Sequence, residues 1–95
     1  MERVENKIYK AISILLKDCP HLMGRIFKSN KYELVASPQQ ITENMQLLSS
    51  GEKVLIKAAL DFWNGSGRVA LSDVLYRLSP NNIKNLQTAI ASLQN

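Results

Sequence analysis

The chain has 95 residues, 45% hydrophobic and 21% charged, which is enough for one core and too little for two, so residues 1–95 are read as a single helical domain. Twelve basic against eight acidic residues leave a net charge of +4, seven basic and five acidic in residues 1–49 and five and three in residues 50–95. A charge spread this thinly permits a polyanionic partner without requiring one. The lone Cys19 excludes an internal disulfide, and four glycines with 6% aromatic residues argue against a β-sandwich.

Glu2, Glu5, Lys7 and Lys10 break up the apolar N-terminal stretch, and the longest uncharged run, residues 85–95, is rich in Asn, Gln, Ser and Thr. Neither a signal peptide nor a membrane span is expected, and a cytoplasmic location is. A helix is predicted over residues 4–16. At 100° per residue, Val4, Ile8, Tyr9, Ala11, Ile12, Ile14, Leu15 and Leu16 cover about half of its circumference. That stripe is too wide for one neighbour. Either this helix packs between two others, or part of its face is kept for a partner, with Tyr9, Ile14 and Leu16 as the candidate contacts.

A short helix over 20–27 would bury Leu22, Met23, Ile26 and Phe27, followed by a loop over 28–31 and an extended piece over 32–36. Ser37-Pro38-Gln39-Gln40 reads as a capping box with proline at the first helical position, opening a helix over 38–48 that carries Ile41, Met45 and Leu48. Ser49-Ser50-Gly51-Glu52 is a second box. The helix it opens, over 50–63, is the strongest element, because Lys53, Lys57 and Asp61 form one narrow polar line and apolar residues fill the rest. It ends at Asn64-Gly65-Ser66-Gly67.

Residues 68–70 read as extended, and 71–78 as a helix with Leu71, Val74, Leu75 and Leu78 inward. Ser79-Pro80 then caps a last helix over 80–93, with Ile83, Leu86, Ala89, Ile90 and Leu93 inward, opposite Lys84, Asn85, Gln87, Thr88 and Ser92. The expected fold is all-α, a compact bundle of five or six short helices. Its two halves share a helix–loop–extended–helix layout, which predicts two helix–loop–helix units joined by a minimal β contact between Val35 and Val69. The second loop loosely resembles an EF-hand loop through Asn64, Ser66, Gly67, Val69 and Asp73. Phe62 stands where that loop's first carboxylate belongs and Asp73 where its glutamate does, so no metal is expected.

No residue set specifies a reaction. Cys19 and His21 flank Pro20 without an orienting third group, and Gly65-Ser66-Gly67 follows a helix where a phosphate loop follows a strand. With no paired carboxylates or cofactor motif either, an enzyme is not expected. Two binding classes remain. The leading expectation is a small non-catalytic regulatory or inhibitory protein docking on another protein or on a second copy of itself. The alternative is nucleic-acid binding, on two grounds. Arg25, Lys28 and Lys31 interleave with Phe27 and Tyr32, a mix that grips phosphates and stacks bases. The half from 50 to 95 resembles the three-helix part of a winged-helix DNA-binding domain without its wing, which implies that Asn81, Asn82, Lys84, Asn85, Gln87 and Thr88 face the major groove, with Arg68 and Arg77 as further candidate contacts. The turn between Leu78 and Ile83 is tighter than that family's, and the last helix has one cation. Duplex binding would depend on Lys53, Lys57, Arg68 and Arg77 gathering on one side.

Overall fold

Three serines set the helix boundaries, as their spacing predicts. In a computed structural model of the chain, described over residues 4–29 and 32–94, the hydroxyls of Ser37, Ser49 and Ser79 accept the backbone N–H groups of Gln40, Glu52 and Asn82 at 3.2 Å. In the first two, the Gln40 and Glu52 side chains reach back to the serine N–H, closing full capping boxes. Each cap satisfies donors that a helix start leaves orphaned, an effect of about 1 kcal/mol.

Six α-helices follow one another among the described residues: α1 (Val4–Leu15), α2 (Met23–Ile26, entered through a 3-10 turn at Pro20–Leu22), α3 (Pro38–Glu43), α4 (Ser50–Asn64), α5 (Leu71–Arg77) and α6 (Pro80–Ser92). No strand forms among these residues, so the all-α bundle expected from periodicity is what the chain builds. The radius of gyration is 12.4 Å, that of a folded domain of this length. Two helices fall short of their predicted spans. Residues 20–27 divide between the 3-10 turn and α2, and α3 stops at Glu43, where Asn44 leaves helical geometry and a turn returns the N–H of Leu48 to the Met45 carbonyl.

The wide apolar face of α1 is explained by its neighbours. It packs chiefly against α6 and α4, and Ala11, Ile12, Leu15 and Leu16 are buried between them. On α4 the apolar side, Val54 to Ile56 and Ala58 to Leu60, forms the centre of the core, while Lys53, Lys57 and Asp61 stay half-buried on the polar line. Aromatic rings tie the N-terminal half to this helix. Tyr32 stacks edge-on to Tyr9 at 5.3 Å, Tyr9 lies 5.0 Å from Phe27, and Phe27 lies 5.0 Å from Trp63.

The expected β contact between Val35 and Val69 does not form. The bridge among the described residues is antiparallel and local, between Phe27 and Leu34. It is flanked by hydrogen bonds from the Lys28 N–H to the Glu33 carbonyl at 2.8 Å and from the Val35 N–H to the Ile26 carbonyl at 2.9 Å. Val69 has another partner. The carboxylate of Asp61 accepts the N–H of Arg68 at 2.8 Å on one oxygen and that of Val69 at 2.9 Å on the other, leaving the Val69 amide no donor for a ladder.

That carboxylate turns the chain back along α4. Gly65 takes the left-handed cap at φ 75°, the Asn64 side chain accepts the Ser66 N–H at 3.1 Å, and Gly67 lies directly on the α4 backbone. A Cβ on Gly67 would collide with the Lys57 carbonyl. Gly67→Ala is therefore expected to lower stability by about 2–3 kcal/mol, read as a fall in the urea midpoint. Arg68→Gly, at a position with φ 52° that glycine adopts freely, should stay within about 1 kcal/mol of the parent. A parental midpoint for Gly67→Ala would disprove the close approach.

Candidate functional site

α5 runs back beside α4, and its two flanks differ in chemistry. Val74 and Leu78 are buried; Leu71 and Leu75, expected to join them, point outward. Leu71 is 73% exposed, Leu75 60% and Tyr76 86%. A helix of seven residues presents only a narrow arc to its neighbour, and here the pair at i and i+4 formed by Val74 and Leu78 occupies it. Leu71 and Leu75, one turn apart, are left as an apolar ridge facing solvent, with Tyr76 about 100° further round the helix.

The other flank is cationic. Arg77 ion-pairs with Asp73 at 3.2 Å, and both line a groove of about 290 Å³ with Lys53, Lys57, Ser50 and Val54. The carbonyl of Arg77 lies close against Gly51, so α5 returns to the start of α4. This antiparallel return puts Arg77 by Lys53 and Arg68 by Lys57, the latter two lining a second cavity of about 660 Å³ with Glu43, Gln39 and Ser66. Lys57 belongs to both. The four cations are thus brought onto one side, in the order Arg77, Lys53, Lys57, Arg68, with about 6 Å of helix rise between the two lysines.

The remaining candidate residues are dispersed. Asn85, expected on the open face of the last helix, is buried, and its amide donates to the Asp18 carboxylate at 2.9 Å. Ile83, Leu86, Ala89 and Leu93 pack inward as expected, joined by Asn85, while Ile90 is 42% exposed. The polar anchor at Asp18 outweighs one isoleucine because an unpaired buried amide is costly. Lys84 and Thr88 are exposed, the Thr88 hydroxyl donating to the Lys84 carbonyl at 3.0 Å. Lys84 lines a different groove with Lys17, Asp18 and Asn81, separate from the four cations.

The basic and aromatic run does not form a stacking platform. Phe27 is buried in the core, and Tyr32 is half-buried with its hydroxyl on the Asn6 side chain at 2.6 Å. Lys28 pairs with Glu33 at 3.4 Å and Arg25 reaches the Asn44 carbonyl at 3.4 Å; Lys31 lies outside the described residues. Of the expected contacts on the first helix, Leu16 is buried in the core and unavailable to a partner. Ile14 is half-buried against the core. Tyr9 lines a shallow groove with Met23, Phe27 and Val35.

Cys19 and His21 do not act as a pair. His21 bonds instead to the Glu52 carboxylate at 2.9 Å, and burial, followed by the charges of Glu52 and Asp18, pushes the Cys19 thiol up, away from the reactive thiolate. Among the described residues, no three His, Cys, Asp or Glu side chains group as metal ligands, and no helix is long and apolar enough to cross a membrane. No protein-family model, curated protein or solved structure matches the chain, so its surfaces are read from their own geometry. Periodicity does not find the outward Leu71, Leu75 and Tyr76, because a seven-residue helix has too few turns to fix which apolar residues face in.

Hydrogen bonds from the Ser49 backbone, then from His21 and the Ser49 hydroxyl, hold the Glu52 carboxyl below its ordinary value. A lowered folded-state pKa stabilises above the unfolded value of about 4.3, and that stabilisation is lost as pH falls through the folded value. Glu52→Gln keeps an acceptor for the Ser49 N–H, as Gln40 does for Ser37. Between about pH 5 and pH 2 the parent's urea midpoint should therefore fall more steeply than that of Glu52→Gln. Parallel curves would show that this cap carries no charge-dependent stability.

Proposed function

We propose that this chain is a small non-catalytic regulatory or inhibitory binding protein that docks on another protein through the ridge of Leu71, Leu75 and Tyr76. A reducing, cytoplasmic setting fits its single half-buried thiol. The exposure of three large apolar side chains on one short helix is the observation that carries the reading, because exposed apolar residues grouped on one element mark interaction surfaces. Full burial stabilises by about 1.5–3 kcal/mol per side chain, against about 4 kcal/mol or more lost on association. The ridge alone supports a weak complex, and a tight one draws in its flanks.

A photo-crosslinking side chain at position 76 is expected to trap a protein in the producing cell, while one at position 88 on α6 does not. Leu75→Ser with Tyr76→Ser should abolish the trapped species and leave the unfolding midpoint within about 0.5 kcal/mol, because both positions are exposed. Sedimentation equilibrium separates the occupants: a mass rising with concentration assigns the ridge to a second copy of the chain. A monomer that crosslinks equally at both positions would refute the reading.

Nucleic-acid binding is the second reading, favoured by the gathering of Arg77, Lys53, Lys57 and Arg68 along α4. It predicts that a short duplex binds with a steep salt dependence. Lys53→Gln with Arg77→Gln should then flatten the log–log slope by about two, near one for each phosphate that is no longer neutralised. Affinity no greater than that of an unrelated protein of the same net charge would end it.

A further inference from the structure

The loop after α4 is held more firmly than an exposed connection requires. Asp61 fixes the amides of Arg68 and Val69, Gly67 lies against the Lys57 carbonyl, and Arg68 is kept at φ 52°, a conformation disfavoured for a side chain of its size. Residues held in such regions persist where their surroundings over-determine them. Here the result is that Arg68 and Lys57 line one cavity, opposite the first turns of α3.

Three observations give that cavity a chemistry. Among the described residues, no carboxylate ion-pairs with Lys57 or Arg68, although Glu43 lines the same space. The hydroxyl of Ser66, also a lining residue, is buried and has no hydrogen-bond partner among the described residues, an arrangement native proteins rarely leave unused. The Gln39 amide donates to Glu43 at 3.1 Å, so the one lining carboxylate is already engaged. Lys57 and Arg68 line one concave space with Ser66 at its wall, where a turn about χ1 would bring the unpartnered hydroxyl to a ligand; two cations and a hydroxyl match a group with three or more acceptor oxygens better than a carboxylate with two.

We propose that the cavity between α3 and the loop after α4 binds a small phosphate-bearing ligand, with Lys57 and Arg68 as its cationic partners and Ser66 as a hydrogen-bond donor. This site is independent of the α5 ridge. It also differs from the duplex reading, which needs Lys53 and Arg77 as well, because this cavity is lined by Lys57 and Arg68 alone of the four.

The isotopically labelled full chain is titrated with inorganic phosphate, with sodium chloride at matched ionic strength as the control and a short duplex as a second arm. Phosphate is expected to move the amide resonances of Ser66, Gly67 and Arg68 saturably where chloride does not. Lys57→Gln and Arg68→Asn, the latter a residue that tolerates positive φ, should each weaken binding about tenfold, the loss of one charge-assisted hydrogen bond. Glu43→Gln should tighten it, and Leu75→Ser with Tyr76→Ser should leave it unchanged. A response to phosphate that tracks ionic strength alone would overturn the proposal. So would shifts produced by the duplex alone and sensitive to Lys53→Gln, which would assign the cations to a nucleic-acid backbone.

Discussion

The carboxylate of Asp61 holds the amides of Arg68 and Val69, and the placement of everything after α4 depends on that contact. A helix leaving a core has many exits, and a loop of glycine, serine and asparagine would take several of them. Asp61 selects one by accepting two successive backbone donors with its two oxygens, each a charge-assisted bond stronger than a neutral one. Gly67 makes the selection steric as well, since only a residue without Cβ lets the loop lie on the Lys57 carbonyl. Once the chain is turned there, α5 must run back along α4, and its short length decides which side chains it can bury.

This dependence explains why the two flanks of α5 are so unlike. Ala70 gives α5 no side-chain cap, and seven residues are too few to be helical in water on their own. Its stability comes from Val74 and Leu78 against the core and from the Arg77 end against Gly51. Those contacts fix the rotation of the helix and leave Leu71, Leu75 and Tyr76 without a neighbour. The same rotation brings Arg77 to Lys53, so the apolar ridge and the cation line are two consequences of one packing choice.

What was legible in the sequence was what local chemistry decides. Ser37, Ser49 and Ser79 each act within three residues of themselves, and so the helix starts could be read directly. The long polar line of Lys53, Lys57 and Asp61 repeats over enough turns to orient α4. Asn85 was not legible, because its value comes from Asp18, 67 residues away, and no periodicity argument distinguishes a solvated asparagine from one that anchors α6 to the end of α1. The Val35 and Val69 pairing failed for a similar reason. A repeated layout suggested symmetry, but the Val35 amide is satisfied by Ile26 and the Val69 amide by Asp61.

The gathering of Lys53, Lys57, Arg68 and Arg77 also depends on residues distant in sequence, yet it is the condition that duplex binding imposes, and the return of the chain along α4 meets it. Meeting a necessary condition does not choose between a polyanion and a small phosphate. The pairing of the cations bears on that choice more than their number does. Arg77 is already paired with Asp73, whereas Lys57 and Arg68 have no ion-pair partner among the described residues and line one cavity beside the unpartnered Ser66 hydroxyl. An extended backbone gains from cations spaced along a groove, and a compact group gains from unpaired cations that share one cavity. In this fold two cations without an ion-pair partner among the described residues share a cavity where the loop is most constrained.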